Sequence, residues 1–244
     1  MRKFWAGCVL LALATLGLSL PSSVAAEPED LPDLLPLFVE GQAHFEIGMD
    51  DNENARALRF DTYILNAGSL PLEIRGLLAD DPWRAHASQC VRFDGPACAE
   101  EHQAGTLRWF APDWIERCFS FEGIARYELR ELVDGEPDQR PDGLVAEREV
   151  SFALEDDIPW GEFNAGPPAY FYCAGFLRQG LSVGYVSTRA HDDRGQFLEL
   201  GGRNGRFALI IRVDPHGHIK QASTSNDGLV IPIHVLGSRV EVLS

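Results

Sequence analysis

WIERCFSFEGIARYEL (residues 114–129) carries the two-residue period of a β-strand. Ile115, Arg117, Phe119 and Phe121 fall on one face, with Glu116, Cys118, Ser120 and Glu122 on the other. Side chains two apart on a strand share a face about 7 Å apart, so Glu116, Cys118 and Ser120 form a row able to converge on one centre. Gly123 interrupts the pattern, and a second strand is expected from Ile124 to Leu132.

Working outward, further strands are expected over 58–66, 70–75, 119–121, 150–155, 181–187, 197–200, 206–214 and 229–236. Clusters of Gly, Pro, Asn and Asp punctuate these segments. Residues 132–142 (LVDGEPDQRPD) read as a polar loop or hairpin end, and helical periodicity is confined to a turn near Ala99 to Gln103. No internal repeat is evident. The expectation is an all-β chain, a single β-sandwich-like domain with long loops.

FEGIARYEL also resembles the segment that follows the copper-binding histidines of the lysyl oxidase family. LRFDTYILNAGSLPLEIRG (58–76) resembles that family's early strand pair with its Asn-x-Gly turn. SFALED (151–156) and QGLSVGY (179–185) are similar to its Ser-Phe-Cys-Leu-Glu-Asp and Gln-Gly-Leu-Ser-Pro-Gly segments. RFALIIRVDPHGHI, followed by SND, resembles its closing hairpin. Five motifs in the family's order are more specific than any one of them, although a shared scaffold does not carry function with it.

The resemblance implies a lysyl-oxidase-like fold and two pieces of chemistry: copper held by three histidines, and a lysine tyrosylquinone built from the chain's own side chains. Imidazole suits copper(II) as a borderline nitrogen donor. The implied histidine positions fall on Glu116, Cys118 and Ser120, and no histidine lies between His102 and His191. The implied quinone lysine falls on Glu149 and the tyrosine on Arg189. Neither residue can form a quinone. A Glu149–Arg189 ion pair could replace the covalent bridge, or both could face solvent. No cofactor is therefore expected.

At the N-terminus, Arg2 and Lys3 precede an apolar run from Phe4 to Leu20, and Ser23 to Ala26 supply small residues before Glu27. This is the pattern of a secretory signal over residues 1–26, and Pro21 with the small residues argues against an uncleaved anchor. Residues 27–48 read as an acidic, proline-rich leader ending in a chain laid against the domain, and 49–244 as the domain itself. An exported location follows, periplasmic or extracellular. The formal net charge of −16 becomes two units more negative once Arg2 and Lys3 are removed. Nucleic acid and anionic membrane surfaces are poor partners for such a chain, whereas a protein or a cationic ligand is compatible with it.

Four cysteines remain after residue 26: Cys90, Cys98, Cys118 and Cys173. An even count in an exported chain suggests two disulfides. Cys90 and Cys98 flank the short VRFDGPA turn and are expected to pair. The resemblance implies a cysteine at Ala153 as the partner of Cys173, and since alanine cannot serve, Cys118 remains. Among the histidines, His216 and His218 flank Gly217 at a turn tip, where exposed histidines are usually incidental. His86, His102 and His191 are isolated, and a site assembled from them in three dimensions stays open. His44 and His234 stand among apolar neighbours and read as partly buried. Asp156 and Asp157 read as a loop cap rather than an acid–base pair.

Scaffold motifs are kept and the residues of the chemistry are replaced. The expectation is a secreted, non-catalytic lysyl-oxidase-like domain with a binding or structural role. The alternative is a copper-dependent amine oxidase acting on protein lysine with a rebuilt site, for which Lys220, the one lysine after the signal, would have to serve.

Overall fold

Apolar residues in short runs and alternations give the described part of this chain strands and a single 3-10 turn. The computed structural model describes residues 30–110, 118–161, 163, 165–171 and 177–243, the side chains of Phe110 and Cys118 excepted. Its strands are β1 (Leu34–Leu37), β2 (Phe45–Met49), β3 (Arg56–Phe60), β4 (Thr62–Asn66), β5 (Leu72–Leu78), β6 (Arg84–Asp94), β7 (Ala97–Phe110), β8 (Cys118–Val133) and β9 (Glu136–Pro137). A 3-10 turn at Pro141–Gly143 leads to β10 (Leu144–Phe152), β11 (Ile158–Pro159), β12 (Arg178–Leu181), β13 (Tyr185–Arg189), β14 (Phe197–Glu199), β15 (Gly205–Val213), β16 (Gly228–Leu236) and β17 (Arg239–Val242). The all-β expectation holds.

Among the described residues three antiparallel sheets form. The largest has ten strands in the order β12-β5-β6-β7-β8-β15-β16-β17, with β9 and β10 also pairing β8. A four-stranded sheet runs β1-β4-β13-β11, and a three-stranded one β14-β3-β2. Both halves of the 114–129 stretch that lie within the described residues belong to one long strand, β8. Its start pairs β7, with Phe121 opposite Leu107, and beyond Gly123 it pairs β15 instead, with Ala125 opposite Val213. Gly123 has φ 67°, and a Cβ there would stand 2.7 Å from a carboxylate oxygen of Glu149. The glycine is thus a bulge inside a strand where a break between two strands was expected.

Other boundaries move for physical reasons. Residues 58–66 divide into β3 and β4 at Asp61, whose carboxylate accepts backbone N–H groups from His44 and His191. Residues 181–187 divide between β12 and β13, which join different sheets. Ala99 to Gln103 form no helical turn, being part of β7 against β6, with His102 opposite Gln89. Both strands of that hairpin are long and polar towards their tip, so the burial alternation that marks a strand fades there. The segment assigned to a leader contributes two strands: Leu34 of β1 is fully buried, and β2 pairs β3. The domain therefore reaches upstream of residue 49.

The sheets close on one core, whose largest fully buried side chains include Tyr127, Phe60, Phe121, Leu34, Leu58, Ile64, Leu72 and Leu107. Phe60 and Tyr127 meet edge to face at 4.9 Å. Burial pushes the Tyr127 hydroxyl up to about 12, and it donates to Oε1 of Gln196.

The motifs noted in the sequence serve as polar joints between these layers. Asn66 accepts from the backbone N–H groups of Asp33 and Gly68 and donates to the carbonyls of Leu70 and Leu181. Gly68 is required there, because a Cβ would lie 2.4 Å from the Leu31 carbonyl oxygen and 2.5 Å from the Asp33 nitrogen. Gln179 accepts from Leu154 N–H and donates to the Phe119 carbonyl, linking the QGLS and SFALED segments to the start of β8. Asp156 accepts from the N–H groups of Ala169, Tyr170 and Ser182 and from the Ser182 hydroxyl, as a loop cap does. Asp157 caps the backbone of Thr188 in the same way. Asn66 and Gln179 are buried and Asp156 half-buried, and their desolvation is offset by these hydrogen bonds.

Candidate functional site

The row of positions on β8 begins outside the described residues: Glu116 and the side chain of Cys118 lie there, as does Cys173, and with them the expected second disulfide. Ser120 is described and buried, in register with Arg108 of β7. Cys90 and Cys98 form a disulfide with Cα atoms 5.6 Å apart, bridging β6 and β7 near the hairpin tip.

Glu149 and Arg189 take different partners. Glu149, on β10 opposite Arg126, has that guanidinium at 3.5 Å and Nε2 of His216 at 2.7 Å. Arg189, at the end of β13, donates to the Ala153 carbonyl at 3.1 Å and lies 3.9 Å from Asp193, its guanidinium over the Phe152 ring.

His216 and His218, expected to be incidental at their turn, are tied into the domain. Their rings stack at 5.4 Å. With Arg108, Glu122, Gly123, Glu149 and Ser151 they line an open cleft of about 420 Å³. Glu122 lies within 4 Å of both Arg84 and Arg108, so positive and negative charge are interleaved across this face. Asp214 fixes the turn by accepting from the N–H groups of His218 and Ile219, and burial raises its carboxyl above the ordinary range despite them.

A rebuilt quinone site would also need a tyrosine, and four of the five tyrosines have a hydroxyl partner within the described residues. Tyr127 meets Gln196, Tyr170 meets Glu73, Tyr185 meets the Gly166 carbonyl and Tyr63 meets Asp61. Tyr172 lies outside the described residues. Lys220 is held by its backbone, which exchanges two hydrogen bonds with the buried side-chain amide of Gln89.

A second histidine group joins His191, one of the isolated histidines, to His44 and Glu46. His44 precedes β2, Glu46 lies within it, and His191 follows β13. Their potential ligand atoms all lie within 4.8 Å of one another. His44 is exposed rather than partly buried, its ring over that of His191 with centroids 4.0 Å apart. Asp61 organises the group. One of its oxygens accepts from the His44 N–H, the other from the backbone N–H and Nδ1 of His191 at 2.7 and 3.0 Å. Burial opposes ionisation of Asp61, but these bonds outweigh it and hold the carboxyl below its ordinary value. An isolated histidine in each of two distant segments carries no spacing signal, so sequence reasoning left this group unassembled.

No protein-family model matches the chain, and a search of curated proteins finds no match for it.

Proposed function

We propose that the protein is exported and acts as a non-catalytic β-domain of lysyl-oxidase-like type, with a binding or structural role. The observation that carries this reading is what occupies the positions where the resemblance implies a quinone. Glu149 is engaged by Arg126 and His216, and Arg189 by the Ala153 carbonyl and the Phe152 ring. These are the contacts of side chains that join strands. The Asn66, Gln179 and Asp156 joints, drawn from the segments that carry the resemblance, support a scaffold of that type. The Cys90–Cys98 disulfide suits an oxidising compartment. A formal charge of −16 favours a protein or cationic ligand over nucleic acid or an anionic membrane surface.

The test is to load the protein with copper(II), apply a redox-cycling quinone stain, and assay hydrogen peroxide release from a simple primary amine. No stain and no peroxide are expected. A stain that Lys220→Arg abolishes would replace this reading with an amine oxidase whose cofactor has moved.

A further inference from the structure

We infer that His44, Glu46 and His191 form a binding site for a divalent first-row transition metal, with Asp61 as the residue that orients it. This goes beyond the proposed function and does not depend on it.

Asp61 fixes the orientation of His191. Its Oδ1 accepts the His191 backbone N–H at 2.7 Å and lies 3.0 Å from His191 Nδ1, the geometry of an Nδ1–H donating to a carboxylate oxygen. In the neutral ring that leaves a lone pair on Nε2, and Nε2 faces Oε2 of Glu46 at 3.7 Å. Two acceptors pointed at each other are resolved by a proton or by a cation between them. The separation is longer than a hydrogen bond. It matches a metal between them: bonds of about 2.0–2.1 Å to nitrogen and oxygen span 3.7 Å at an angle of about 130°.

The second imidazole is already in place. The His44 ring lies over His191, and its backbone is fixed by exchange with Asp61, whose N–H donates to the His44 carbonyl. A carboxylate on the far nitrogen of a ligating histidine is the arrangement that fixes the tautomer and raises the basicity of the metal-facing nitrogen. Here Asp61 holds the ring of His191 in this way, and it holds His44 through its backbone alone.

Charge and access agree. Glu46, Asp61 and Asp51 gather negative charge here beside Arg59, which is paired with Asp51 at 2.9 Å and donates to the Met49 and His191 carbonyls. Glu46 is half exposed and His191 a quarter exposed, so a metal can enter and a coordination position stays open to water. Two imidazoles and one carboxylate select zinc(II) or copper(II) over calcium or magnesium, which take oxygen donors.

The experiment is calorimetric titration of tag-free protein with zinc(II), and with calcium(II) as a contrast, together with visible absorption of the cobalt(II)-loaded protein. One zinc per chain is expected, with no calcium binding and with the d–d bands of a low-coordinate nitrogen-ligated cobalt. His44→Gln and His191→Gln should each weaken zinc by more than about 100-fold, and Asp61→Asn by about 10- to 100-fold. Glu46→Gln, at an exposed position, should weaken it without changing the thermal unfolding of the metal-free protein. His216→Ala, in the separate cleft, should leave affinity unchanged. Unaltered zinc affinity in both His44→Gln and His191→Gln, loss of binding in His216→Ala, or no zinc binding at millimolar concentration would each overturn the assignment. Amine oxidase activity is read by a different assay, so either conclusion can fail alone.

Discussion

The carboxylate of Glu149 lies 2.7 Å from Nε2 of His216, joining β10 to the turn after β15. Both side chains are about two-fifths exposed. An ion pair so open to solvent contributes little, of the order of 0–1 kcal/mol. Glu149→Lys should therefore leave the fold intact, with thermal unfolding shifted by no more than a few degrees. It should also place a lysine where the resemblance implies one, without producing a quinone stain. A stained Glu149→Lys protein would mean that a copper site is present after all.

A different outcome is expected at Glu73. It is 1 % exposed and meets Arg75 at 2.5 Å, Arg178 at 2.7 Å and the Tyr170 hydroxyl at 2.9 Å. Burial alone would raise its carboxyl, but the bonds from Arg178, Arg75 and Tyr170 prevail and lower it. Removing the charge strands the guanidinium groups, so Glu73→Gln should cost about 2–3 kcal/mol in denaturant unfolding at neutral pH. A depressed carboxyl stabilises the fold above its unfolded value and loses that contribution as pH falls through the folded one. The gap between wild type and Glu73→Gln should accordingly narrow below about pH 4.

Asp227 has the opposite sign. Burial raises its carboxyl to about 6, helped by the charges of Asp214 and Asp33 and opposed by Gln221. Between about pH 4 and pH 6 the folded protein holds a proton that the unfolded chain has released, so stability falls as pH rises through that window. Asp227→Asn should be more stable than wild type above pH 6, by up to about 1 kcal/mol once solvent screening is allowed for, and should match it below about pH 4. Thermal unfolding of both proteins across this range decides it.

The Cys90–Cys98 bridge closes a short loop between β6 and β7. Chain entropy gives such a closure about 2–3 kcal/mol. Unfolding with and without reductant, compared with Cys90→Ser/Cys98→Ser, should show that loss. An unchanged midpoint would place the hairpin tip outside the cooperative unit.

Much of the scaffold was legible because the signals of a strand are local. The apolar run in RFALIIRV and the run LRFDTYILN are written in consecutive residues, and both became strands of a buried layer. The β6–β7 hairpin was not legible, since its tip is solvated on both faces and Ala99 to Gln103 carry no apolar period. Of the site, the sequence by itself determined which residues stand at the positions of the resemblance: Ser120, Glu149 and Arg189, none of them a histidine, lysine or tyrosine. The tertiary structure alone decided that His44 and Glu46 meet His191. Asp61 and His191 are 130 residues apart and come together only because β3 pairs with β2 while β4 pairs with β13. Strand pairing is a non-local choice made by the whole sheet, and a site that depends on it leaves no spacing in the sequence to find.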